Sequence, residues 1–161
     1  DALINASTRG FPGPDLLAQI RRRPSAAQAH FLRYRLEHPR ADRLRARLRV
    51  ARALASLLGS EVARPGARVR RHTHWLFPVL VNDPERLMRR LWAAGVDATR
   101  GTTSLCVLDT PAERPDAQPA EARAWMERLL FVPAYAGMPP RALEIIAREV
   151  RAHNAGLTPH A

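Results

Sequence analysis

The stretch that decides the fold is HTHWLFPVLVNDPERLMRRLWAAGVDATRG, which runs from His72 to Gly101. Its first half, Thr73 to Val81, is rich in Trp, Phe, Leu and Val and predicts a β-strand. Asp83 followed by Pro84 indicates a helix N-terminus, because aspartate caps free backbone N–H groups and proline fits the first helical position. Gly95 is a typical helix stop. The stretch therefore predicts a strand, a capped helix and a turn into a further strand.

Strand signals continue on the C-terminal side of this stretch. Residues 102–108, TTSLCVL, predict a second strand, and residues 129–133, LLFVP, predict a short third one. Pro78 in the first strand has no N–H to donate to a ladder, which implies an edge strand or a bulge. We expect a small, largely antiparallel sheet of about three strands.

Four helices are predicted from apolar residues that recur three and four positions apart. Their expected buried positions are Leu44, Leu48, Ala51, Ala55 and Leu58; Leu87, Met88, Leu91 and Trp92; Ala122, Trp125, Met126 and Leu129; and Leu143, Ile146, Ala147 and Val150. A further helix is expected to begin at Ser25. The predicted fold is α/β (α+β), with helices on one face of the sheet. Residues 1–60 form a helical lead-in, and residues 61–161 form the α/β domain.

The charge is strongly basic, with a formal net charge of +11, and all 26 basic residues are arginines. An arginine face on the helix 41–58 and the RVRR segment at 68–71 could attract phosphate backbones. No helix-turn-helix, zinc-finger or RNA-recognition signature accompanies them, so a solvated face in an arginine-biased bacterial proteome is favoured and nucleic acid is not the expected partner. The absence of lysine excludes a Schiff base through a lysine amine of this chain.

Few residues qualify as a site. His72 and His74 lack a third ligand at metal spacing, so packed or hydrogen-bonded histidines are favoured and no metal is expected. Cys106 lies among apolar strand residues and is interpreted as an inert thiol. Arg100 could bind a carboxylate through its two-pronged guanidinium, with Thr102 and Thr103 adding hydroxyl groups. From the residues alone, an ordinary exposed arginine beside strand threonines is the favoured interpretation.

The segment from about Ala41 to Ala152 resembles the C-terminal small domain of fold-type I pyridoxal-phosphate enzymes. It is most similar to the DegT/DnrJ/EryC1/StrS sugar aminotransferases. In that group a strand precedes a helix of the form R-x-x-L-x-x-x-L-x-x-x-G-[IV], approximated here by RLMRRLWAAGV from Arg86 to Val96. A later strand, turn and closing helix correspond to LLFVPAYAGMPP. RGTTS stands where the group commonly has tyrosine and histidine.

This resemblance implies part of an aminotransferase that moves an amino group from an amino acid to a keto-sugar or another carbonyl compound. Pyridoxal phosphate would be bound mainly by a large domain that precedes Asp1, so the chain is expected to be a fragment that is not itself catalytic. It would contribute to the substrate cleft and the interface of a homodimer, with Arg100, Thr102 and Thr103 near substrate and no catalytic or cofactor-binding residue. The single cysteine and the lack of a signal peptide or apolar span indicate the cytoplasm rather than a membrane. A non-enzymatic arginine-rich module that binds nucleic acid or an acidic partner is the alternative.

Overall fold

The computed structural model describes residues 18, 21–101, 107–108, 110–111, 113–114 and 118–155. The chain divides into two units, Asp1–Arg40 and Ala41–Ala161. This division differs from the predicted boundary at residue 60, because the helix that begins at Ala41 packs into the core of the second unit.

The first unit contains helix α1, Ala26–Glu37. Ser25 begins it as predicted: its hydroxyl accepts from the N–H of Gln28 at 3.2 Å, and the Gln28 amide oxygen accepts from the N–H of Ser25 at 2.9 Å. This reciprocal pair satisfies two backbone donors that the first helical turn leaves free. No residue of α1 is buried.

The second unit contains four helices and two strands among its described residues. They are α2 (Ala41–Leu58), β1 (Phe77–Leu80), α3 (Pro84–Ala93), α4 (Ala120–Arg128), β2 (Leu129–Val132) and α5 (Pro140–Ala155). β1 and β2 pair antiparallel, with Phe77 opposite Val132 and Leu80 opposite Leu129. Helices and a small antiparallel sheet are therefore confirmed.

A third strand is not present among the described residues. Residues 102–106 of the predicted second strand lie outside the described residues. On the edge of β2 away from β1, the backbone of Thr99 pairs with the strand. Thr99 forms a single antiparallel bridge with Phe131, with N–H to O distances of 3.0 and 2.8 Å. The described sheet thus has two strands and one isolated bridge.

The edge position predicted from Pro78 is confirmed for the described sheet, in which β1 pairs only with β2. The N–H of Leu80 points away from β2 and donates to the carbonyl of Ala63 at 2.9 Å. Pro78 lies two residues earlier, so its nitrogen points the same way as that of Leu80. The missing donor therefore costs the ladder no hydrogen bond.

The core lies between one face of the sheet and the helices α2, α3 and α5. Phe77, Val79, Leu130 and Val132 are buried on that face. The helices contribute the fully or nearly fully buried side chains of Ala51, Leu54, Leu58, Leu87, Leu91, Leu143, Ile146, Ala147 and Val150. The predicted stripe of α5 is confirmed in full.

Three helix predictions are corrected by burial. In α2 only the second half is buried, and Leu44 is 39% exposed because the neighbouring elements cover only the C-terminal turns. Trp92 of α3 is half exposed, with its indole N–H donating to the carbonyl of Ala98 at 2.9 Å. No residue of α4 is buried, since Trp125 and Met126 line a cavity on the other face of the sheet. Helices therefore do not lie on one face only.

The start of β1 is also corrected. The strand was predicted from Thr73, but it begins at Phe77. His74 has a φ of 48°, in the left-handed region, which breaks the extended backbone before the strand. His72 and His74 therefore lie in a loop and not on the strand.

Candidate functional site

The second unit has a cleft of about 350 Å³ that combines aromatic walls with a few polar groups. We call it the aromatic cleft. Its lining comprises Arg47, Trp75, Leu76, Asp97, Thr99, Phe131, Val132, Pro133, Ala134 and Tyr135. The volume falls in the lower part of the range of small-molecule sites, and apolar walls with few converging polar groups are typical of them.

The register of the sheet places the aromatic residues of the cleft. Phe77 at the start of β1 is opposite Val132 at the end of β2. Trp75, just before β1, and Tyr135, just after β2, therefore come to the same end of the sheet. Both are open to solvent, with 78% and 57% of their surface exposed. Exposed rings on fixed backbone are suited to stacking against a flat or ring-shaped ligand.

Two charged residues complete the aromatic cleft. Arg47 reaches it from α2, and Asp97 reaches it from the segment between α3 and the Thr99 bridge. Neither side chain makes a hydrogen bond or an ion pair with another described residue. As far as the described residues show, the guanidinium of Arg47 and the carboxylate of Asp97 are thus available to a ligand.

The predicted site residue Arg100 has a well-defined environment outside the lining of the aromatic cleft. Its Nη2 donates to the carbonyls of Met126 at 2.8 Å and Glu127 at 2.9 Å, in the last turn of α4. Its Nη1 lies 3.2 Å from Oε1 of Glu85, and its Nε is buried without a hydrogen-bond partner among the described residues. Arg100 therefore satisfies helix carbonyls that lack an intrahelical donor, and little of its guanidinium is left for a carboxylate.

The other predicted substrate residues, Thr102 and Thr103, lie outside the described residues, as does Cys106. Their proposed contact with substrate stays a prediction. The hydroxyl of Thr99, three residues before Thr102 in the sequence, accepts from the N–H of Gly101 at 3.2 Å, and Thr99 lines the aromatic cleft.

His72 and His74 stack on each other, with ring centroids 4.2 Å apart and an angle of 15° between the planes. The backbone N–H of His74 donates to Nδ1 of His72 at 2.8 Å. Among the described residues, no group of three or more His, Cys, Asp or Glu side chains is placed to hold a metal ion. No described helix is long and apolar enough to cross a membrane.

Sequence reasoning missed the aromatic cleft, although a signal was available. Trp75 lies near the start of the segment predicted as the first strand, and Tyr135 follows the segment predicted as the third strand. Because antiparallel neighbours place the start of one strand beside the end of the next, the two rings could have been brought together once the pairing was assumed. Arg47 was counted only as part of a solvated arginine face.

Comparison with known proteins gives a likeness of fold. No protein-family model and no curated protein matches the chain. A solved DegT DnrJ EryC1 StrS aminotransferase from Brucella abortus is similar, with 18% identity and a TM-score of 0.58 over 70% of this chain and 31% of that chain. The aminotransferase TlmJ from Streptoalloteichus hindustanus has 19% identity and a TM-score of 0.54 over 73% of this chain and 33% of its own.

A third solved structure, the sugar aminotransferase CalS13 from Micromonospora echinospora, has 18% identity and a TM-score of 0.51 over 70% of this chain and 31% of its own. At this identity the likeness establishes a shared fold. The chain spans about a third of the length of each of these proteins.

Proposed function

We propose that this chain is the C-terminal α/β domain of a pyridoxal-phosphate aminotransferase of the DegT/DnrJ/EryC1/StrS type. The observation that carries the proposal is the likeness of fold to part of three aminotransferases, over 70% or more of this chain. The pattern of capped helix, Gly95 stop and closing helix supports the same family. The reaction would transfer an amino group from an amino acid to a keto-sugar or another carbonyl compound, in a cytoplasmic homodimer.

The residues of this chain do not fit the covalent attachment of pyridoxal phosphate. The cofactor is held by a lysine amine in such enzymes, and this chain contains no lysine. We therefore assign no chemical step to the chain. Its role in the proposed enzyme is to bind and orient substrate beside a cofactor held by other parts of the protein.

Within this proposal the aromatic cleft forms part of the substrate surface. Trp75 and Tyr135 would stack on the acceptor, while Arg47 and Asp97 would bind its hydroxyl, carbonyl or anionic groups. Arg100, Thr102 and Thr103 keep a predicted contact with substrate. For Arg100 this contact would have to compete with the carbonyls of α4 that its guanidinium already binds.

The proposal is tested with the full-length protein and its kinetics. Amino transfer from L-glutamate to a panel of keto-sugars is followed through the release of 2-oxoglutarate. Trp75→Ala is expected to raise the acceptor KM roughly fivefold, since a stacked ring contributes about 1 kcal/mol. Leu108→Ala is the control, because Leu108 is 81% exposed and does not line the aromatic cleft.

An unchanged acceptor KM in Trp75→Ala would remove the aromatic cleft from the substrate surface. If the full-length protein shows no amino transfer and this chain binds DNA with an affinity that falls steeply with salt, the arginine-rich module is supported instead.

A further inference from the structure

A second concave feature of the second unit is a cavity of about 30 Å³ next to the stacked histidines. We call it the histidine cavity. It is lined by Arg64, Pro65, Gly66, Ala67, His72, His74, Phe77 and Pro78. Its polar side chains are all basic, and the rest of its wall is glycine or apolar.

The hydrogen bond between the two histidines determines which nitrogen of His72 can serve a ligand. Nδ1 of His72 accepts the backbone N–H of His74 at 2.8 Å, so a proton on this ring is carried by Nε2. A Cβ atom added to Gly66 would lie 3.2 Å from that Nε2. The donor of His72 therefore faces the Gly66 side of the histidine cavity, where any side chain at position 66 would crowd the imidazole.

Arg64 supplies a second donor with no described partner. Its Nε is buried and makes no hydrogen bond with the described residues. A buried cationic donor without an acceptor is costly, and such groups are normally paired with an anion or with water. Its side chain lines the histidine cavity together with those of His72 and His74.

The electrostatic surroundings of His74 are of one sign. Burial lowers the pKa of His74, and His72, Arg52 and Arg64 lower it further through charge repulsion. These are the groups that face it from its own loop, from α2 and from the loop at Arg64. An anion placed among them would be attracted by the two arginines, and by His74 once that imidazole is protonated.

The backbone at His74 is also unusual. With a φ of 48° it is the only described residue other than glycine in the left-handed region. The chain holds a side chain with a Cβ in this less favourable conformation, and it stacks that side chain on His72 and near Phe77. Sparsely populated backbone conformations of this kind cluster at functional sites.

We propose that the histidine cavity binds a doubly charged tetrahedral oxyanion, namely a phosphate or sulfate group, through Nε2 of His72, the ring of His74 and the guanidinium of Arg64. A cavity of about 30 Å³ holds roughly one water molecule. It would admit one or two oxygens of the anion, and the remainder would project toward solvent. This site goes beyond the proposed function and does not depend on it, because neither the cofactor nor the aromatic cleft takes part.

Sulfate is the probe for the first test, because it keeps both charges across the pH range in which histidine titrates. The imidazole C–H signals of the 161-residue chain are followed by NMR against pH, in sodium sulfate and in sodium chloride of equal ionic strength. Sulfate is expected to raise the pKa of His74 and to leave that of His153 unchanged. Equal effects on all the histidines, or none, would overturn the proposal and leave an adventitious ion only.

Calorimetric titration of variants provides the second test. Arg64→Gln is expected to weaken sulfate binding about tenfold, the loss for one charge-assisted hydrogen bond. Arg70→Gln removes the same charge from an exposed position outside the cavity and should change the affinity less than about twofold. Equal losses in the two variants would contradict a defined site.

His74→Asn provides a further check that does not alter an arginine. Asparagine tolerates the left-handed backbone, so this variant removes the ring while keeping the turn. It should weaken sulfate binding and remove the gain in affinity that protonation of His74 gives at low pH. The His153 signal, which comes from the core, reports whether each variant is folded. Undiminished sulfate binding in a folded His74→Asn would overturn the proposal.

Discussion

Replacing Arg100 with methionine tests what this residue does in the fold. The methionine keeps an apolar stem of similar length but removes both hydrogen bonds to the last turn of α4. It also removes the contact of 3.2 Å to Glu85, whose side chain is half exposed. The substitution therefore isolates the guanidinium from the packing of its stem.

The expected loss of stability follows from these contacts. Hydrogen bonds that involve a charged partner contribute about 1.5–3 kcal/mol each to stability. In the variant, water can bind the carbonyls at the helix end and offset part of this loss. The ion pair to an exposed carboxylate adds less than about 1 kcal/mol. We expect Arg100→Met to lower the free energy of unfolding by about 2–3 kcal/mol.

Urea unfolding of the 161-residue chain, followed by tryptophan fluorescence, measures this loss. Arg89→Met is the matched control, because Arg89 is exposed on α3, and should change the stability by less than about 0.5 kcal/mol. Arg100→Lys should fall between Met and wild type, since a compact ammonium cannot reproduce the guanidinium geometry. A loss in Arg100→Met equal to that of the control would refute the capping role. A selective rise of the donor KM in a stable full-length variant would assign Arg100 to substrate instead.

Three further predictions follow from single residues. Gly95 has a φ of 77°, and a Cβ added there would meet no atom within 4 Å. Gly95→Ala should therefore lower the free energy of unfolding by about 1 kcal/mol through backbone strain alone, as measured by thermal unfolding. Glu149 accepts from Nη2 of Arg90 at 2.7 Å, and this bond lowers the pKa of the Glu149 carboxyl. Glu149→Gln should therefore lower the free energy of unfolding by about 1 kcal/mol at neutral pH. In urea unfolding, the difference in stability between Glu149→Gln and wild type should vanish as pH falls through that lowered pKa. Burial lowers the pKa of His153, so as pH falls the unfolded chain binds a proton at this histidine before the folded chain does. The contribution of His153 to stability should therefore be constant above about pH 6.5 and decrease below it. His153→Met should reduce this dependence of stability on pH, measured by urea unfolding at several pH values. A slope unchanged in His153→Met would exclude His153 as its source.

The local signals of the sequence predicted local structure well. The Asp83 side chain accepts from the N–H of Arg86 at 2.9 Å, as the cap signature requires, and Gly95 ends the turn after α3 with positive φ. The buried stripe of α5 was predicted because Leu143, Ile146, Ala147 and Val150 recur three and four positions apart within one helix. In each case the residues that decide the structure are close together in the chain.

Features that depend on distant partners were predicted less well. Periodicity marked Trp125 and Met126 as buried, but whether an apolar stripe is covered depends on the surface it meets, and α4 borders an open cavity. β1 lost its first residues because His74 takes a left-handed backbone that its residue type does not reveal. The aromatic cleft needed the strand register, which brings Trp75 to Tyr135.

The proposal that this chain is the small domain of a pyridoxal-phosphate aminotransferase can be tested by trapping the cofactor on its lysine. The full-length protein is incubated with pyridoxal phosphate, reduced with borohydride to fix the cofactor on its lysine, and digested for mass spectrometry. We expect one modified lysine, in a peptide that lies outside these 161 residues, since they contain no lysine. A full-length protein that takes up no pyridoxal phosphate would contradict the claim.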